Sequence, residues 1–143
     1  MRLWRICKME KKVDIVALGE LLIDFTEAGV SKAGMKLFEQ NPGGAPANLL
    51  TVASHMGYRT AFIGKVGADM HGAFLRKTLR AEGIDTAALV EDADCFTTLA
   101  FVEIAENGER KFSFARKPGA GNSFWGGFLS RFLFLNKGID DLE

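Results

Sequence analysis

Short apolar runs alternate along the chain with amphipathic stretches, and the two periods set the order of the predicted elements. The segment "VDIVAL" (13–18) is β-branched, ends at Gly19 and predicts a buried strand. "PANLLTVASHMG" (46–57) opens on Pro46 and closes on Gly57, the asymmetry of a helix. "TAFIGKVG" (60–67) predicts a second strand, and "DMHGAFLRKTLRAEG" (69–83) a second helix with Asp69 at its start and Gly83 as its stop. "IDTAALV" (84–90) predicts a third strand. A βαβαβ order implies parallel strands with helices on the sheet faces, so the fold class is α/β.

Two later segments break this rhythm. "FTTLAFVEIA" (96–105) and "RKFSFAR" (110–116) are rich in β-branched and aromatic residues, and between them stands Asn107-Gly108, a strong hairpin turn pair. An antiparallel hairpin is predicted there, as a flap beside the ligand crevice rather than part of the main sheet.

Composition narrows the partners. Lys plus Arg and Asp plus Glu number 18 each, so no global field favours nucleic acid or an anionic membrane. No apolar run approaches the ~20 residues of a membrane helix, and the basic start "MRLWRICKMEKK" is followed by no signal-type apolar core, because Asp14 interrupts it. Cys7 and Cys95 are the only cysteines and sit in no CxxC arrangement, which points away from a disulfide framework or a metal site and toward the cytoplasm. His55 and His71 read as surface or packing residues.

Candidate chemistry gathers between the first strand and the first helix. "GELLIDF" (19–25) places Glu20 and Asp24 just past the carboxyl end of the first strand, where open α/β sheets hold their ligands. "NPGGAPAN" (41–48) places Gly43 and Gly44 before a helix, with Asn48 within it. A carboxylate accepting from hydroxyls, two glycines that admit a ligand to backbone N–H groups, and an amide that both donates and accepts make an inventory suited to a sugar. An ordinary turn at Gly43-Gly44, with Asp24 as a cap, accounts for the same residues equally well.

These stretches resemble the PfkB, or ribokinase-like, carbohydrate kinases, and fructokinases among them. "GELLIDF", "NPGGAPANLLTVASHMG", "AFIGKVGADMHGAFLRKTLRAEGIDT" and "TTLAFVEIAENGERKFSFARKPGA" carry the likeness collinearly across about residues 13–120. The family's first signature falls on Gly43, Gly44, Asn48, Gly57 and Gly67, with Leu50 where a small residue is usual. The resemblance implies that Asp24, Gly43, Gly44 and Asn48 contact a hexose, fructose first among them. It implies a lid built on the 96–116 hairpin, a homodimer formed through that lid, and ATP with Mg2+ as the family's phosphoryl donor and ion. Asp69 and Gly72 match a motif expected to be structural.

"GAGNSFWGGF" (119–128) resembles the family's C-terminal signature, in which Gly-Ala-Gly forms an anion hole and a following Asp is the general base. Gly119, Ala120 and Gly121 take the anion-hole positions, Asn122 takes the base position, and Arg116, Lys117 and Pro118 fall where Asp-Thr-Thr is usual. The resemblance thus divides the chain into an N-terminal extension (1–12), the N-terminal part of a kinase domain with its lid strands (13–118), and a fused remnant of the anion-hole helix (119–143). The segment bearing most of the nucleotide pocket is missing between the two motifs. The expectation is a truncated ribokinase-like fold of fructokinase ancestry, weakly active or inactive as a kinase, with ATP binding in doubt. The alternatives are a non-catalytic sugar-binding or dimerising module and a nonfunctional remnant whose sheet exposes an edge and an apolar patch.

Overall fold

The computed structural model describes residues 13–104 and 109–116. The 1–12 extension, the Asn107-Gly108 turn and the 119–143 segment lie outside the described residues.

The first sheet is parallel, as the βαβαβ order requires. β1 (Ile15–Leu18) leads through α1 (Ala45–His55) to β4 (Thr60–Gly67), which pairs with β1 from Ile15↔Thr60 to Leu18↔Ile63. α2 (Met70–Ala81) then leads to the far edge of β4. There the single strand expected over 84–90 is two: β5 (Ile84–Asp85) beside Thr60–Ala61, and β6 (Leu89–Asp92) beside Gly64–Gly67. The break has a local cause, since Asp85 Oδ1 accepts from Ala87 N at 2.8 Å and turns the chain out of the ladder.

Both crossovers step in the same direction, β1 to β4 to β5, so the helices share one face of the sheet. They touch where Ser54 Oγ donates to the Glu82 carbonyl at 2.6 Å. Between helices and sheet lies the core of Leu50, Phe62, Val66, Leu75, Leu79, Ile84 and Leu89. Leu50 is fully buried in it, which is the packing consequence of a large residue at that position. Ile15 and Ala17 point into this core, while Val16 and Leu18 point to the opposite face and are 53% and 38% exposed.

The second sheet was only half expected. β2 (Leu22–Val30) and β3 (Lys36–Gly43) form an antiparallel hairpin that the apolar pattern does not announce, and it accepts the predicted one. β7 (Thr98–Ile104) runs parallel to β2, and β8 (Arg110–Ala115) runs antiparallel to β7 from Leu99↔Ala115 to Ile104↔Arg110. The order is β3-β2-β7-β8, separate from the main sheet, in accord with a flap.

Asp69 joins the two sheets. Its Oδ1 caps α2 by accepting from His71 N at 3.0 Å and Gly72 N at 2.8 Å. The same carboxylate accepts from Thr97 N and Thr97 Oγ1, both at 2.8 Å, just before β7. Burial opposes its ionisation, but the hydrogen bonds from Thr97, Gly72 and His71 outweigh it and hold the carboxyl below the usual range.

Candidate sugar site

Asp24 is not in a loop past the first strand, as its sequence position suggests, but inside β2, in the flap sheet. The first strand ends at Gly19 as read, but the apolar "LLI" after Glu20 opens a strand of the second sheet, which carries Asp24.

The ladder registers align Asn41, Asp24, Ala100 and Phe114 in one row across four strands. Residues opposite one another share a face, so an amide, a carboxylate, a methyl and an aromatic ring lie side by side. The next row is Glu39, Thr26, Val102 and Phe112, and Asn41 Nδ2 donates to Thr26 Oγ1 at 3.4 Å.

Asp24 is half-buried, and among the described residues no donor reaches it. Burial alone therefore pushes its carboxyl above the ordinary value. Its Oδ2 lies over the α-carbon of Gly43, where a Cβ would collide with it and with Leu22 Cδ1. Gly44 follows with φ +116° as the N-cap of α1, and a Cβ there would strike the Glu20 carbonyl oxygen. The two glycines thus serve different ends: Gly43 makes room for a carboxylate, and Gly44 lets the chain turn into the helix against the β1–β2 connection. Asp24 caps nothing among the described residues, so the cap alternative falls; that role belongs to Asp69.

Asn48 stands one turn into α1, its backbone N–H bonded to the Gly44 carbonyl at 3.1 Å. Its exposed side chain borders a furrow between the helices of about 310 Å³, shared with Pro42, Thr51, Thr78 and Glu82. The structure therefore brings Asp24, Gly43 and Gly44 together and leaves Asn48 at a neighbouring furrow, with no hydrogen bond to Asp24. Gly119, Ala120, Gly121 and Asn122 lie outside the described residues.

Sequence reasoning gave no weight to Asn41, Phe114 or Arg116 as site residues. Arg116 Cζ stacks 4.0 Å above the Phe114 ring, and its Nη2 reaches Glu20 Oε2 at 3.2 Å, so the end of the flap is tied back to the β1–β2 connection. The period-2 alternation of "KFSFAR", with Phe112, Phe114 and Arg116 on one side, was the available signal. His55 is exposed and 2.5 Å from Glu82 Oε2, while half-buried His71 packs edge-on against Phe25 and bonds Gln40. Among the described residues no group of three or more His, Cys, Asp or Glu could hold a metal ion. Nor is any described helix long and apolar enough to cross a membrane.

The chain is similar to known proteins over most of its described residues. Fructokinase-1 of Oryza sativa subsp. japonica is 46% identical over 108 residues, which are 74% of this chain and 33% of the rice protein. A fructokinase structure from Xylella fastidiosa superposes with a TM-score of 0.70 at 40% identity, covering 78% of this chain and 36% of that one. A second structure, of the Xylella fructokinase with bound ATP, gives a TM-score of 0.70 at 39% identity over 78% of this chain and 35% of that one. The chain spans about a third of the length of the relatives it matches. The family described as pfkB family carbohydrate kinase matches residues 12–118, and the chain belongs to that family.

Proposed function

We propose that the described residues form the sugar-binding part of a fructokinase-type site, and that this chain alone turns over sugar weakly or not at all. The observation that carries the reading is Asp24: a half-buried carboxylate that no described donor satisfies, set over Gly43 and beside Asn41. A protein leaves such a group unpaired at a cost, and a ligand hydroxyl is the partner that removes the cost. Phe114, in the same row, adds an apolar face of the kind on which the C–H side of a sugar ring rests.

Fructose is the hexose favoured by the fructokinase relatives. In this reading Gly43 and Gly44 bring backbone close to the sugar, Asn48 closes on it from α1, and the flap excludes water so that a phosphoryl group passes to the sugar hydroxyl. Gly119, Ala120 and Gly121 are the proposed anion hole for ATP, with Mg2+ as its counter-ion. Asn122 stands at the base position, where an amide cannot take the proton a carboxylate takes, a loss of about 10²–10⁴ in rate. Positioning of the phosphoryl donor is most of what such catalysis requires, and the nucleotide segment is the part this chain is short of.

The test is fructose-dependent thermal stabilisation of the purified chain, compared with a polyol of equal osmolality. A shift with fructose alone supports a sugar site, and identical curves refute it.

A dimerising role is favoured by one separate observation. The outer strand β8 of the flap has no further strand partner among the described residues, and its Phe112 and Phe114 are 53% and 46% exposed. Pairing of two flaps would cover them, and sedimentation velocity across a concentration series reads it directly.

A further inference from the structure

A cluster apart from the sugar site joins an amine to a thiol. Lys65, on β4, is only 7% exposed, and its Nζ donates to Asp92 Oδ2 at 2.8 Å. Cys95 lies three residues beyond Asp92, half-buried, with its Sγ 3.5 Å from the same Oδ2 and 3.9 Å from Lys65 Nζ. One carboxylate oxygen thus holds a buried amine and a thiol against each other. The Asp92–Cys95 turn is braced by Asp94 N donating to Asp92 Oδ1 at 2.9 Å. It is also pressed onto β4, since a Cβ on Gly67 would sit 2.7 Å from the Cys95 carbonyl oxygen. The neighbours have little freedom to separate.

We propose that Lys65 and Cys95 form a reversible covalent crosslink when the chain meets a peroxide. In the first step the Cys95 sulfur attacks the peroxide: an S–O bond forms, the O–O bond breaks, sulfur is oxidised by two electrons, and one oxygen leaves as water. In the second step the ammonium of Lys65 gives a proton to Asp92, the freed amine attacks sulfur, and the S–O bond breaks. The departing hydroxyl takes the Asp92 proton and leaves as a second water, and the remaining excess N–H proton passes to solvent. One amine, one thiol and one hydrogen peroxide give one S–N bond and two waters. A sulfenic acid usually waits for a second thiol; here an amine, Lys65 Nζ, already lies 3.9 Å from the sulfur.

The link would tie β4 to the connection that enters β7, the first strand of the predicted flap hairpin. Its effect is to stiffen the root of the flap, in proportion to the oxidant present. Asp92 is a positioning residue in this scheme: it holds the amine beside the sulfur and relays its proton.

The experiment treats the full chain carrying Cys7→Ser, which removes the only other thiol, with a small excess of hydrogen peroxide. Intact mass should fall by two hydrogens, trypsin should no longer cut after Lys65, and the peptides of Lys65 and Cys95 should appear joined. Dithiothreitol should restore the mass, and the linked form should melt at a higher temperature. Asp92→Asn should slow linkage while leaving Cys95 oxidisable, and Cys95→Ser should abolish it. Gain of oxygen on Cys95 with Lys65 still open to trypsin would overturn the proposal. So would unchanged linkage in Cys95→Ser.

Discussion

The carboxylate of Asp24 rests over the α-carbon of Gly43, with no room for a side chain between them. That fit explains why the last residue of β3 is a glycine: the backbone at Gly43 is bare because a carboxylate occupies the space.

Asp24 should weaken the fold that carries it. Its carboxyl is pushed up by burial without a partner, so its contribution to stability is fullest below the ordinary carboxylate value and is lost as pH rises through the raised one. Asp24→Asn should therefore melt higher than the parent at neutral pH, with the gap closing below the carboxylate range. Melting curves over a pH series check this; a gap that widens on acidification contradicts it.

Asp69 should behave in the opposite sense. Its lowered carboxyl supplies stability present above the ordinary value and lost as pH falls through the lowered one. Asp69→Ala removes a helix cap and strands the donors of Thr97, at a cost of about 2 kcal/mol or more in urea unfolding. The parent should lose this margin only in acid.

Leu49 and Val52 on the outer stripe of α1 and Met56 at its C-cap are each 60% exposed or more, and β1 adds Val16 on the sheet face opposite the helices. Apolar surface of this extent drives association. Replacing Leu49 and Val52 together by Glu should raise the soluble fraction without lowering the melting temperature, as light scattering and calorimetric scans will show.

Much of the main sheet was legible because its signals are local: Pro46 and Gly57 bound α1, Asp69 and Gly83 bound α2, and β4 spans 60–67 as read. The β2–β3 hairpin was not. From Ala28 to Glu39 nearly every residue is exposed, so no alternation of apolar and polar positions marks the strands. Of the candidate site, Asp24 and the two glycines were legible as a motif, and the fold sets Asp24 against Gly43. The alternation in "KFSFAR" shows which of its residues share a side, but Asn41 and Phe114 reach the row of Asp24 only through strand pairing, and Arg116 reaches Glu20 only across 96 positions, relations that no short window contains.

On the proposed reading, in which Asn122 stands at the base position and the chain is short of the nucleotide segment, Asn122→Asp should not produce ATP-dependent phosphorylation. A coupled assay of ADP release with fructose should remain at the no-enzyme blank. In a full-length relative the reverse change, Asp to Asn at the matching position, should alone cut turnover by about 10²-fold or more.

The central claim is that Asp24 faces a sugar. Titration calorimetry of the folded chain with fructose at millimolar concentration should give saturable heat, which both Asp24→Ala and Gly43→Ala abolish, the first by removing the acceptor and the second by displacing it. No heat from the parent with any hexose, or equal heat from the parent and a folded Asp24→Ala variant, would contradict the account.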